Sequence, residues 1–178
     1  MFSRGGLISV FLVLVFAGCA AAPKGFDPGI SGPQMIVEPG AISLGVATLT
    51  KTPIFFKGKG FQPGDSVFIN LLGVKKDGKS VDVPVADGNV GKDGLFTAKV
   101  GTLVKISEML RARLGSNKKM ENIIIVTQPP MPPGVYTARA VSMESDKTAE
   151  CKIVVKAPSF MDRFKDWMGG LLGKIVKK

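Results

Sequence analysis

The chain contains no histidine. That absence excludes Ser–His–Asp and Cys–His catalysis, the usual zinc sites and most general-base chemistry. Cysteine is scarce as well: Cys19 and Cys151 are the two in 178 residues, so no thiolate cluster can form. There is one Tyr and one Trp, and Lys and Arg are spread along the chain rather than clustered. A nucleic-acid site wants a basic stripe interleaved with aromatics, so no nucleic-acid partner is expected. No P-loop or Rossmann glycine fingerprint is present. The longest apolar run, residues 7–16, is broken only by Ser9. It is too short for a bilayer core, which needs roughly 20 residues. These gaps point away from an enzyme, and no cofactor or metal is implied.

What is there begins at the N-terminus. Arg4 gives a short basic start, the apolar run follows, and small residues come next. This is the make-up of a cleaved export signal. Its end, Phe16-Ala17-Gly18-Cys19, resembles the lipobox of bacterial lipoproteins, with Phe16 standing where that family usually has Leu. The resemblance implies a signal peptide over 1–18, a diacylglyceryl group on Cys19, and cleavage before it. Each buried acyl CH₂ contributes about 0.8 kcal/mol, and two or more chains anchor stably. Ala20, rather than Asp, follows the cysteine. In a Gram-negative host this favours the outer membrane. The other reading is an ordinary secretory signal cut near residues 20–22.

The formal charge is +10, and only Arg4 of the basic residues lies in the signal. Such a charge attracts anionic lipid or acidic glycans and says little about fold. Residues 20–34 are rich in Pro and Gly and read as a tether, giving an anchor-and-tether segment over 19–40. Short alternating apolar runs then recur, separated by turn signals. They predict strands over 42–49, 54–57, 66–73, 81–86, 95–100, 123–127, 135–142 and 148–156. Pro63-Gly64-Asp65, Asp77-Gly78, Asp87-Gly88-Asn89 and Asp93-Gly94 supply the turns between them. The loop 87–93 carries oxygen donors that suit calcium, but its spacing is not that of an EF-hand, and it reads as a plain turn. In the strand 148–156, Cys151 shares the period-two face of Ala149, Ile153 and Val155, so it is expected to pack as a small apolar residue. With Cys19 used by the lipid, no intrachain disulfide is expected. Over 102–114, Leu103, Val104, Ile106, Met109, Leu110 and Leu114 recur at helical spacing and predict a short inserted helix that ends at Gly115.

Lys57-Gly58-Lys59-Gly60-Phe61-Gln62-Pro63-Gly64-Asp65-Ser66-Val67-Phe68-Ile69 resembles the G-x-G-F-x-P-G-D-x-V-x-I signature of bacterial immunoglobulin-like domains of the cell envelope. Asp93-Gly94-Leu95-Phe96 resembles their D-G-x-F turn, and Pro133-Gly134-Val135-Tyr136 with Ala140 resembles their penultimate strand. The resemblance implies an all-β, Ig-like β-sandwich over 41–156. Gly60 would let the backbone turn where a side chain would clash, and Phe61 would plug one end. Tyr136 would form a tyrosine corner, its hydroxyl bonded back to the main chain. The disulfide and strand-C tryptophan of antibody domains are absent.

After Pro158 the texture changes to a tail, 157–178, read as an amphipathic C-terminal helix. On a 100° wheel Phe160, Met161, Phe164, Trp167, Met168, Leu171, Leu172 and Ile175 fall in one arc, opposite Asp162, Arg163, Lys165, Asp166, Lys174 and Lys177. The candidate contact residues are Phe160, Phe164, Trp167, Met168, Leu171 and Ile175, with Lys174 and Lys177 for anionic headgroups. Three surfaces are open to such a helix: lipid headgroups, a groove on a partner, or its own domain. The expected function is non-catalytic. It is an envelope lipoprotein, anchored through Cys19, whose Ig-like domain binds or scaffolds an envelope protein or glycan while the tail contacts the membrane. The alternative is an accessory subunit of an envelope or surface assembly, with the tail docked on a partner protein.

Overall fold

The computed structural model describes residues 25–177, so the export signal and the lipidation position Cys19 lie outside the described residues. The chain is mostly β. One sheet is antiparallel, of order β1 (Gln34–Glu38), β3 (Phe55–Lys59), β6 (Phe96–Lys99). A second, five-stranded sheet has the order β2 (Ala41–Ser43), β10 (Thr148–Lys156), β9 (Gly134–Ser142), β4 (Ser66–Lys76), β5 (Lys79–Asn89). It is antiparallel except where β2 runs parallel to β10. A third small sheet has the order β11 (Ile175–Lys177), β8 (Asn122–Val126), β7 (Ala112–Ser116).

Period-two alternation explains the main strands, since successive strand side chains point to opposite faces. Val67, Ile69 and Leu71 of β4, Tyr136, Ala138 and Ala140 of β9, and Ala149, Ile153 and Val155 of β10 are buried together. Met35 and Val37 of β1, Phe56 of β3, and Phe96 and Ala98 of β6 join the same cluster from the other sheet. Cys151 is partly buried against this core. Gly60, at φ +80°, is confined by close packing: a Cβ there would sit 2.7 Å from the Gly32 carbonyl oxygen. Beside it Phe61 is buried, its ring edge-on to Phe96 at 5.1 Å.

The Tyr136 hydroxyl donates to the Pro132 carbonyl at 2.7 Å. Burial raises the phenol above its ordinary pKa, with Arg111 pulling the other way, which favours the donor form. Tyr136→Phe is expected to cost about 1 kcal/mol, the net worth of one neutral hydrogen bond. Urea unfolding would show this as a lower midpoint at unchanged slope.

Five sequence expectations are corrected. Asp87-Gly88-Asn89 is not a turn but the end of β5, where Gly88 pairs with Val67 and Asn89 with Ser66. Residues 42–49 do not form one strand: β2 stops at Ser43, and α1 (Val46–Lys51) follows. Burying Val46 and Leu49, one helical turn apart, favours the helix. The inserted helix is shorter than 102–114. Here α2 (Thr102–Val104) passes into a π-helical turn at Lys105–Met109. Arg111 then takes φ +49° and ends it, and Leu114 lies in β7, exposed, pairing with Ile124. The stretch read as tether already contains β1, whose Met35 and Val37 are core residues. The tail is not one helix: α3 (Phe160–Leu171) stops, Gly173 turns the chain at φ +67°, and β11 pairs in parallel with β8.

Candidate functional site

The site is the end of the domain that carries α1 and α3. Strand β10 delivers the chain there, and Ser159 starts α3 with a reciprocal capping box. The Ser159 hydroxyl accepts from the Asp162 N–H at 3.1 Å, and the Asp162 carboxylate accepts from the Ser159 N–H at 2.9 Å. Such a box satisfies two of the amide groups that a helix start leaves without partners.

Asp162 does more than cap. Its carboxylate also accepts from Ser43 Oγ at 2.7 Å and Thr48 Oγ1 at 2.5 Å, tying α3 to β2 and α1. Asp166, one turn on, accepts from the backbone N–H of Val46 at 2.9 Å and of Ala47 at 2.8 Å. Gly45 permits the approach, since a Cβ there would lie 2.5 Å from Asp162 Cβ. The hydroxyls of Thr48, Ser43 and Ser159 hold the Asp162 carboxyl well below the usual carboxylate range, and burial, which acts the other way, does not offset them. The helix therefore docks by its acidic edge.

The consequence is on the other side. Phe160, Phe164, Trp167, Met168 and Leu171 are all exposed, from 43% at Met168 to 84% at Phe160, and Met161 and Leu172 with them. Phe164 and Trp167 lie together with ring centroids 5.8 Å apart. Five of the expected apolar contact residues thus share one outward face. Ile175 does not: it is buried in β11 and packs so close to α3 that a Cβ on Gly169 would meet its Cδ1 at 2.6 Å. Lys174 and Lys177 are exposed, but in the turn and in β11 rather than on the helix. Asp162 and Asp166, which fix the direction of the face, have a sequence signal only in part. Ser159 three residues before Asp162 is the spacing of a capping box, but nothing local marks Ser43, Thr48 or Val46 as partners.

Open grooves flank the helix. One, of ≈ 890 Å³, runs between Trp167 and Leu171 on one side and Pro129 and Pro130 on the other, over Leu44 and Val126. The second, of ≈ 860 Å³, lies between Met168 and Leu172 and the Thr50–Pro53 segment. Far from this end, buried Asp65 joins the turn after β3 to the β9–β10 hairpin, accepting from the N–H groups of Ser66, Glu144 and Ser145 and from Ser145 Oγ.

No family model and no curated protein sequence matches the chain. Among solved structures it is similar to a mutant β-glucosidase from Listeria innocua in complex with laminaribiose, at 13% identity and TM-score 0.37, over 71% of this chain and 16% of that one. It is also similar to macromomycin, at 14% identity and TM-score 0.36, over 70% of this chain and 100% of that one. A third is the bacterial hydrophobin BslA, at 16% identity and TM-score 0.33, over 73% and 98%. The chain thus spans about a sixth of the β-glucosidase's length. Likenesses at this level assign neither a fold family nor an activity.

Proposed function

We propose that this chain is a non-catalytic envelope lipoprotein, anchored through Cys19, whose domain is an Ig-like β-sandwich that scaffolds or binds an envelope partner and presents α3 as a second membrane contact. One observation carries the reading. A helix held to its domain through two hydrogen-bonded carboxylates turns its Phe, Trp, Met and Leu side chains outward. An exposed apolar patch of this kind marks an interaction site rather than a packing surface. The lipobox-like Phe16-Ala17-Gly18-Cys19 supplies the anchor, and Ala20 favours the outer membrane in a Gram-negative host. The Gly58–Ile69 signature, at the turn into β4, and Tyr136 with its hydrogen bond to Pro132 support the Ig-like assignment.

A second reading, an accessory subunit whose α3 docks on a partner protein, is favoured by the groove beside Trp167. The test of the anchor is intact mass with membrane fractionation of the wild type beside Cys19→Ala. The expected result is a lipid-sized increment on Cys19 and a wild type that stays with the membranes. A wild type without that increment would overturn the anchor.

A further inference from the structure

We infer that the surface met by the outward face of α3 is a bilayer rich in anionic phospholipid. This rests on the membrane reading above and names the lipid class. The argument is the distribution of charge around the apolar face. Within the polar side of the wheel, Asp162 and Asp166 hold the middle and the cations the two edges, so that Arg163 borders the Phe160–Phe164–Trp167–Leu171 stripe on one flank and Lys165 on the other. The grooves extend both flanks. Lys177 lines the one that holds Arg163, and Lys51 and Lys174 line the one that holds Lys165.

The acids of the helix are on its far side. Asp162 and Asp166 are turned into the domain and engaged by Ser43, Thr48, Val46 and Ala47. Among the described residues no ion pair within 4.0 Å engages any of the five cations: the pairs found are Lys57–Glu38, Lys76–Glu108 and Arg139–Glu150. Asp166 also lines the groove that holds Arg163 and Lys177, but both its oxygens accept from the Val46 and Ala47 N–H groups, so the charges around the apolar stripe that are left for a ligand are the five cations. A protein groove complementary to this face would have to supply acids on both rims of an apolar floor. An anionic bilayer supplies phosphates at every position around an acyl interior. Aromatic and Leu side chains below, with Lys and Arg level with the headgroups, is the arrangement of a helix lying in the interface plane. Trp167 suits the boundary, having an apolar body and a polar N–H.

The test uses the chain from Ala20 onward, which keeps the whole described core, Met35 to Ile175. Trp167 is the single Trp of the chain, so its emission reports this face alone. The probes are vesicles of phosphatidylglycerol with phosphatidylethanolamine and vesicles of phosphatidylcholine. The expected result is a blue shift of Trp167 on the anionic vesicles, with binding that weakens as salt rises. Replacing Arg163, Lys165 and Lys174 together by Gln should weaken that binding about a hundredfold, roughly fivefold for each basic residue near a charged surface. Leu171→Asp should abolish the shift while circular dichroism stays that of the parent. Equal binding to both vesicle types, unaffected by the Gln replacements, would overturn the anionic preference and leave the membrane contact standing. No binding to either type would overturn both.

Discussion

Asp162→Ala should release α3 and β11 from the domain while leaving the five-stranded sheet folded. The side chain accepts from Ser43, Thr48 and Ser159, and its removal leaves those donors without their acceptor in a site that is 6% exposed. Hydrogen bonds to a charged group contribute about 1.5–3 kcal/mol net. A loss of about 3 kcal/mol raises the open population of residues 160–177 about a hundredfold. Asp162→Asn keeps the shape and some of the acceptors, and should cost less than half as much. Native-state hydrogen exchange is the measurement: amides of α3 and β11 should lose protection, and those of β4 and β9 should keep it. Equal loss in the β4 and β9 amides would show that the carboxylate holds the whole domain rather than the helix.

The same carboxylate sets an acid limit. Its folded pKa lies below the ordinary 3.8. It therefore contributes stability above the unfolded value, and that stability is lost as pH falls below about 4 toward the folded pKa. Asp65 acts with the same sign. Burial works to raise its pKa, but hydrogen bonds from Ser145, Ser142, Glu144 and Ser66 outweigh it and hold the group low. Acid should thus free α3 and loosen the β9–β10 hairpin in one window, and Asp162→Ala should remove only the first of these.

Three of the four turns were legible, because their residues act locally; Asp87-Gly88-Asn89 carries the same residue types but lies in β5, held there by pairing with Ser66–Phe68. Asp77 and Gly78 take φ +50° and +78° between β4 and β5, and Gly94 takes +73° before β6. Asp and Gly are the residue types that reach this region most readily. The helix after β6 was legible only as far as its apolar spacing was honest. Ile106, Met109 and Leu110 are buried, but Leu114, at the same spacing, is an exposed strand residue. What ends the helix is Arg111 in a left-handed conformation, which its residue type does not announce. In the tail the wheel placed Phe160 to Leu172 correctly on one face and put Ile175 there wrongly, since a turn at Gly173 breaks the period. A wheel also cannot say which side of a helix docks. That was decided by Ser43, Val46 and Thr48, which lie 114–120 residues from the carboxylates they bind, and by rule an apolar stripe would have been turned inward.

In the lipidated chain, α3 and the lipid should hold the domain lengthwise on one bilayer, and removing the lipid should weaken the α3 contact by two orders of magnitude or more. The geometry is in the strands. Phe26 lies against Lys59, at the end of β3 away from α1. From that end, where Lys147 reaches Gly60, β10 carries the chain to α3 over nine residues, or about 27 Å at strand rise. The six steps from Cys19 to Gly25 reach about 20 Å at most. An upright domain would therefore lift α3 well clear of the anchoring membrane, and a domain lying along the surface brings both ends to it. Once one end is held, the second contact is intramolecular, which raises avidity about 10²–10⁴-fold. In vesicles carrying a quencher at shallow acyl depth, Trp167 of the lipidated protein should be quenched at lipid concentrations where the unlipidated chain remains free. Leu171→Asp should abolish the quenching without releasing the protein from the vesicles. A lipidated wild type that stays unquenched, on vesicles that bind the unlipidated chain, would mean that α3 points away from its own membrane and reaches for a facing one.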